Sequence, residues 1–314
     1  MMRIALRSNR TLIDSAPVWV RPRESLCSLR TRLLMEARPV SEVRTHDDFL
    51  DIAWQAAAIG SKTLGSSRPG TVKHKGDRDL VTDIDMAIQH EIADFLRIAT
   101  PDVELLAEES TQQPDIAAAE WLWVLDPIDG TSNFARGLPL CAVSLALMHR
   151  GSAVIAVTQA PLLGRTYHAV KDRGAFLNGQ PITVSRTENL AEAIVSLGDY
   201  AVGPDAAPQN RQRLALTAHL VPLVERIRMV GAATLDLAFV AEGALDACVM
   251  MSNKPWDTAA GALMAREAGA LVTDARGDSH TYQAYSIVAA APAIADELVT
   301  AISAASADNG QTPR

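Results

Sequence analysis

The sequence predicts an α/β protein whose first half is α+β and whose second half alternates strands with helices. Three observations predict it. Leu50, Trp54, Ala57 and Ala58, and later Ile84, Ile88, Ile92 and Leu96, recur at helical spacing. Between Ala142 and Val184, apolar runs are split by His149-Arg-Gly-Ser152, Pro161-Leu-Leu-Gly164 and Asn178-Gly-Gln-Pro181, the turn signals of an antiparallel meander. After Ser185, short apolar runs and helical patterns take turns, as in α/β units.

Taken in order, folded sequence is expected from about Asp47, where Asp47 and Asp48 can cap the first helix. The Gly/Ser/Pro stretch Gly65–Gly70 ends it, and a second helix follows from about Asp85. Val103–Ala107 and Trp121–Leu125 are short apolar runs suited to buried strands. Past the meander come a strand at Ala193–Leu197, a helix near 211–226, a strand at Arg228–Val230 and a helix near 234–242. A strand at Leu245–Met251, a helix from Asp257, a strand at Ser286–Ala290 and a helix near 292–305 complete the pattern. The expected division is an extension (1–40), an α+β half (41–185), an α/β half (186–306) and a small polar tail (307–314).

At 314 residues, 48% of them hydrophobic, the chain has the apolar material for a sizeable core, and no apolar run approaches the roughly 18 residues of a membrane span. A net charge of −8 argues against a general nucleic-acid binder. Residues 1–40 carry eight Arg against three acids, which leaves the remaining chain at −13. That stretch lacks the apolar centre of a secretory signal. It reads as a disordered extension, or as sequence upstream of a start at Met35. Cys27, Cys141 and Cys248 offer neither a disulfide framework nor zinc spacing, so a reducing cytoplasm is the default. Cys141 and Cys248, in apolar runs, read as buried small hydrophobes, and Trp54, Trp121 and Trp123 as packing residues. A body this acidic needs a metal ion or local backbone dipoles to handle an anionic ligand.

Four segments place carboxylates where ordinary packing would not. Asp79-Leu-Val-Thr-Asp83-Ile-Asp85 sets three aspartates around a helix start, a place where acids also complement the helix dipole. Glu108-Glu109-Ser110 directly follows an apolar strand. In Trp123-Val-Leu-Asp126-Pro-Ile-Asp129-Gly-Thr-Ser-Asn133-Phe134 a strand runs into a stiffened turn. Its Gly130 permits close backbone approach, and the N–H groups of Gly130, Thr131 and Ser132 form a phosphate cradle. Two carboxylates three residues apart there can reach one cluster of hard cations through oxygen. In Lys254-Pro-Trp-Asp257-Thr-Ala-Ala-Gly261, Asp257 is the expected N-cap of a helix of small residues, a position from which an oxygen can also turn to a metal. Arg136 reads either as a further phosphate contact or as a solvated surface charge.

These four segments, in this order, resemble the inositol monophosphatase family of magnesium-dependent, lithium-sensitive phosphatases. Residues 126–134 satisfy D-P-[ILV]-D-G-T-x-N-F and Trp256–Gly261 satisfy W-D-x-A-A-G. Lys75–Asp85 match K-G-x-x-D-L-V-T-x-x-D, and Glu108–Ser110 match E-E-S. The likeness spans roughly residues 47–305 and implies a layered αβαβα sandwich of the inositol monophosphatase/fructose-1,6-bisphosphatase type. It implies two to three Mg²⁺ ions. Glu108, Asp126 and the Ile128 carbonyl would hold the first, Asp126, Asp129 and Asp257 the second, and Glu108 would share in a third. Asp85 and Thr131 would orient and deprotonate the attacking water, while Gly130 and Thr131 bind phosphate. Gly231 and Ala233 match the substrate loop. The resemblance also suggests a homodimer acting on a small phosphate monoester, with no nucleic-acid or membrane partner.

One departure bears on substrate. Seven residues before Asp257, inositol-specific members carry a glutamate that accepts hydrogen bonds from ring hydroxyls, and this chain has Met250, followed by Met251-Ser252-Asn253-Lys254. Inositol 1-phosphate leads as substrate, with histidinol phosphate, a sugar phosphate or a 3′-phosphonucleotide as alternatives. Other chemistries fit poorly. Asp83-Ile-Asp85-Met-Ala87 has the D-x-D spacing of aspartyl-phosphate phosphatases, but Ala87 fills their Thr position; neither a P-loop nor G-x-G-x-x-G after a strand occurs. A non-catalytic relative predicts the loss of a ligand or of the water-activating pair, yet Asp85, Glu108, Asp126, Asp129, Thr131 and Asp257 are all present.

Overall fold

The computed structural model describes residues 45–68, 72–76, 79–111, 113–252 and 254–308. The Arg-rich extension with Cys27 and Met35, the Gly70 end of the first linker, Asn253, the tail past residue 308, and the side chains of Lys75 and Asp79 lie outside what it describes.

Helix α1 (His46–Ser66) begins one residue before the expected cap. Thr45 is the N-cap, and Asp48 at the third helical position closes a capping box with it, both hydrogen bonds to Asp48 Oδ2 measuring 2.9 Å. A two-stranded hairpin that apolar patterning did not show, β1 (Val72–Gly76) and β2 (Asp79–Thr82), leads into α2 (Asp83–Ala99). Thr82 and Asp85 repeat the capping box there.

Strands β3 (Glu104–Ala107), β4 (Trp121–Asp129), β5 (Ala142–His149), β6 (Ser152–Ala160), β7 (Arg165–Val170), β8 (Ala175–Leu177) and β9 (Gln180–Ile182) lie in chain order in one seven-stranded sheet. β5–β9 form the expected meander, every pair antiparallel. β4 outruns its expected end at Leu125 and carries the Asp-Pro-Ile-Asp motif inside the strand rather than in a turn after it. One turn of helix, α3 (Thr131–Ala135), follows.

The second sheet has five strands in the order β11-β10-β12-β14-β13 and is mixed. They are β10 (Ile194–Leu197), β11 (Arg226–Arg228), β12 (Ala247–Met250), β13 (Leu271–Thr273) and β14 (Ile287–Ala290). β13 is an edge strand of three residues, too short for any period to announce it. The helices are α4 (Ala206–Leu220), α5 (Ala233–Ala241), α6 (Pro255–Glu267) and α7 (Pro292–Asp308).

The layering follows from which side chains each face buries. Along β4 and β5, Trp123, Leu125, Val143 and Leu145 point to α1 and α2, packing on Leu50, Ala57, Ile88 and Ile92. Their neighbours Leu122, Val124, Ala146 and Met148 point the other way, to Ala238 of α5 and Leu263 and Met264 of α6. The far sides of those two helices, through Leu237, Val240 and Ala262, cover Cys248, Ile287 and Ala289 of the second sheet. Its outer face, with Val195, Val249 and Val288, is covered by Leu216 of α4 and Ile294 and Leu298 of α7. The stack is α1α2, sheet, α5α6, sheet, α4α7: the αβαβα sandwich the sequence implied.

The central layer is thin because it is built from small residues. A Cβ at Gly261 would stand 2.5 Å from Leu237 Cβ, so α6 touches α5 through glycine. Gly261→Ala is expected to lower the unfolding free energy by about 1–3 kcal/mol, read from urea denaturation, as overpacking does.

Candidate active site

The site begins with a break in the β4–β5 ladder. Asp126 stands opposite Ser144 and Asp129 opposite Ala142, so β4 holds one extra residue between those pairs. Residues three apart on a regular strand face opposite sides. The bulge adds the residue that brings both carboxylates to one end of the sheet.

Asp126 is 2% exposed, and its Oδ1 is buried without a hydrogen-bond partner. Burial pushes its carboxyl well above the usual range, and the charges of Glu108, Asp129, Asp257 and Asp85 push the same way. Those five groups are the acids expected from the sequence, and the other four act electrostatically on Asp126. Among the described residues, however, no three His, Cys, Asp or Glu side chains converge into a ready coordination shell. Like charges in a buried place resist closer approach until a cation offsets them.

Asp129 serves as a joint between the two halves. Its Oδ1 accepts from Ala233 N–H at 3.0 Å, and Oδ2 accepts from the Thr234 N–H at 2.7 Å and hydroxyl at 2.5 Å. It therefore caps α5 from outside, which no spacing in the sequence announced. Burial raises its carboxyl to about 6, against the lowering effect of those hydrogen bonds. Three donors on two oxygens leave one lone-pair site for a further partner.

Next to it, Gly130 has φ +84°, a conformation that favours glycine. A Cβ there would also meet the Leu140 carbonyl oxygen at 2.6 Å and the Gly231 carbonyl oxygen at 3.3 Å. Asn133, quoted in the motif without a role, pins this contact: its Nδ2 lies 2.8 Å from the carbonyl of Leu140, 3.0 Å from that of Val230 and 3.2 Å from that of Gly231.

Thr131 Oγ1 lies 3.0 Å from Asp85 Oδ1 and 2.9 Å from the Ile128 carbonyl. A hydroxyl has one proton to give, so at any moment it donates to one of them. The other oxygen of Asp85, a fully buried side chain, accepts from the Thr82 N–H at 2.9 Å and from the Thr82 hydroxyl. Burial raises the Asp85 carboxyl, and these hydrogen bonds restrain the rise.

Glu108 follows β3, its N–H donating to the Leu125 carbonyl at 3.2 Å. Gln89 of α2, which sequence reading passed over, accepts from the Glu109 N–H at 3.0 Å and holds this turn beside β4. Asp257 is not the N-cap of α6. Lys254 is, Pro255 opens the helix, and Asp257 occupies its third position with its N–H donating to the Lys254 carbonyl. Arg136 is exposed.

Of the expected substrate contacts, Gly231 and Ala233 lie against the phosphate turn, with the Ala233 N–H already given to Asp129. Met250 does not open onto a cleft. It is 5% exposed, and a Cβ on Gly198 of the neighbouring strand end would stand 3.2 Å from its Cγ. Cys141 and Cys248 are buried, as expected of small hydrophobes.

With this geometry, comparison with known proteins settles the class. A model of the inositol monophosphatase family matches residues 44–307. The chain is 36% identical over 230 residues to the fructose-1,6-bisphosphatase/inositol-1-monophosphatase of Thermotoga maritima, covering 73% of this chain and 85% of that protein. It is 35% identical over 260 residues to the putative Nus factor SuhB of Neisseria meningitidis serogroup B, covering 82% of this chain and 98% of that one. Among solved structures, the Thermotoga maritima IMPase superposes with a TM-score of 0.73 at 32% identity, over 83% of this chain and 98% of that one. The chain belongs to the inositol monophosphatase family, a family of phosphoric monoester hydrolases that is generally metal-dependent.

On α5, Asp236 is buried and accepts from the Ser196 hydroxyl, and burial pushes its carboxyl up to about 8. The folded state therefore keeps a proton on Asp236 that the unfolded chain releases, so this group's contribution to stability falls as pH rises between about 4 and 8. Asp236→Asn, which retains an oxygen for Ser196, is expected to flatten that decline, measured as the urea midpoint across this range in EDTA.

Proposed function

We propose that the protein is a Mg²⁺-dependent phosphatase that hydrolyses a small phosphate monoester by attack of water, with inositol 1-phosphate the leading substrate. The observation that supports it best is the Asp126 carboxylate, buried with an unpartnered oxygen among four other acids. Buried charge of one sign is costly, and an oxygen-only donor set suits a hard dication. The donors fit the expected ions. Glu108, Asp126 and the Ile128 carbonyl would hold one, Asp126, Asp129 and Asp257 a second, and Glu108 would share in a third. When bound, these ions supply the positive charge that offsets the phosphate dianion and the departing alkoxide, and they acidify water.

The chain's own groups do the rest. With its proton on Asp85, the Thr131 hydroxyl turns a lone pair toward a water and orients it for attack. Asp85, its other oxygen fixed by Thr82, takes up the proton, and its raised carboxyl makes it a stronger base than an exposed aspartate. The same choice of proton acceptor leaves the Ile128 carbonyl open toward the metal side. The N–H groups of Gly130 and Thr131 meet the phosphate at the opening of α3. In this reading 41–185 supplies the phosphate and most metal contacts, and 186–306 supplies Asp257 and the substrate loop.

A second substrate, histidinol phosphate or another sugar or nucleotide phosphate, is favoured by one observation: Met250, at the polyol-contacting position, is packed in the core. The family likeness further supports a homodimer in the cytoplasm, with light scattering as the check on the dimer.

Phosphate release from inositol 1-phosphate, histidinol phosphate, fructose 1,6-bisphosphate and adenosine 3′,5′-bisphosphate tests the reading. Release that needs Mg²⁺, stops in EDTA and is inhibited by Li⁺ is expected. Asp126→Asn is expected to abolish turnover while circular dichroism shows a folded protein; full activity in that variant would overturn the metal assignment. Thr131→Ala is expected to lower kcat by about 10²–10⁴-fold with a smaller change in KM, as loss of a positioned proton relay does.

A further inference from the structure

The sequence and the fold leave the alcohol half of the substrate without an obvious acceptor, because Met250 is enclosed by Gly198 and the core between the second sheet and α5. The residue after Gly198 fills that need from another direction. β10 and β12 run parallel with Leu197 opposite Val249, and the Gly198 N–H donates to the Val249 carbonyl at 2.9 Å. The end of β10 therefore lies beside Met250, and the chain there turns outward into Asp199, an exposed side chain. Asp199 Oδ2 is 3.7 Å from where a Cβ on Gly231 would stand. The Gly231 carbonyl is in turn 3.3 Å from the Cβ position of Gly130. The phosphate turn, the Gly231 loop and the Asp199 carboxylate are thus in successive contact.

We infer that Asp199 is the specificity-determining acceptor for the leaving alcohol, favouring a monoester whose alcohol carries a hydroxyl or ammonium donor and disfavouring one with a second anionic group. This deepens the phosphatase reading and rests on it. The other carboxylates are largely committed: the Asp129 oxygens take three donors from the start of α5, and the Asp85 oxygens hold Thr82 and Thr131. Asp199, by contrast, makes no hydrogen bond to a described residue. The buried Arg213 interacts with it electrostatically, while the Arg213 Nη2 donates to the Met251 carbonyl at 3.1 Å. An exposed carboxylate beside an enclosed guanidinium keeps its outer lone pairs for a ligand. A donor-bearing alcohol satisfies them, whereas a second phosphate meets a like charge. Asn133 ties the Gly231 loop, and with it the neighbourhood of this carboxylate, to the phosphate turn.

The test measures kcat/KM in Mg²⁺ for inositol 1-phosphate, histidinol phosphate and p-nitrophenyl phosphate, whose leaving group has no donor. Asp199→Ala is expected to lower the ratio of the better donor-bearing ester to p-nitrophenyl phosphate about ten-fold, mostly through KM, the size of one hydrogen bond to a charged group. Asp199→Asn is expected to recover most of that ratio for inositol 1-phosphate, since an amide oxygen still accepts. Ratios unmoved in Asp199→Ala, or a uniform fall on all three esters, would overturn the inference. Release from p-nitrophenyl phosphate alone, with neither donor-bearing ester accepted, would also overturn it and leave the phosphatase reading standing. A folded wild-type protein inert toward all three overturns the phosphatase reading, and this inference falls with it.

Discussion

The structure turns on one carboxylate. Asp129 ends the β4 bulge of the first sheet, and its two oxygens take the first N–H groups of α5, the helix that lies between the two sheets. A helix start left without partners in a buried layer would be costly, so α5 can sit only where Asp129 meets it. Gly130 and Gly231 then approach to contact distance, and Asn133 ties the two loops together. Chain geometry and site geometry are in this way the same set of hydrogen bonds. A shift of the second half against the first would break the phosphate turn and the helix cap together.

That arrangement leaves an electrostatic debt. Asp85, Asp126 and Asp129 are all pushed toward their neutral forms by burial, and their mutual repulsion adds to it at Asp126. A fold optimised for stability alone would replace Asp126 with an apolar residue, as buried charges without partners are among the costliest features a core can hold. The hydrogen bonds from Thr82, Thr131 and Thr234 restrain the aspartates they reach. None of them reaches Asp126 Oδ1. The strain is concentrated on the one atom that a cation would relieve most.

How much of this was legible in the sequence depends on whether a feature is local. The meander was readable because its turns carry Gly, Pro and Asn at the junctions, and α1 and α2 because their apolar stripes are long. The acids were readable as segments because each sits where packing would not place it. What stayed hidden is relational. The bulge that aligns Asp126 with Asp129 exists only against β5, and the capping of α5 joins residues 104 and 105 positions apart. Gln89 looks like any polar helical residue until Glu109 is beside it. The N-cap of α6 was misplaced by three residues because Asp is the stronger capping type. Pro255 at the first helical position was the better signal. The hairpin β1–β2 and the edge strand β13 lacked the length for a period to show.

The division between hidden and exposed groups also bears on how the alcohol of the proposed ester would be recognised. Several side chains around the phosphate turn are committed to one another: Thr82 to Asp85, Asp85 to Thr131, Asp129 to α5, Asn133 to the Gly231 loop. A substitution at any of these leaves a buried partner unsatisfied and is felt in the fold as well as in the reaction. The rim beyond Gly231 is different. Asp199 is exposed, and exposed positions away from caps and networks tolerate replacement at little cost to stability, about 0.5 kcal/mol or less. The position that packs against Gly198 is Met250, a residue that fills space instead of accepting hydrogen bonds. In the proposed reading, recognition of the alcohol at Asp199 would leave Asp126, Asp129 and Thr131 undisturbed. In the proposed phosphatase the core network would hold the reaction, and the identity of the leaving group would be left to side chains the fold does not need.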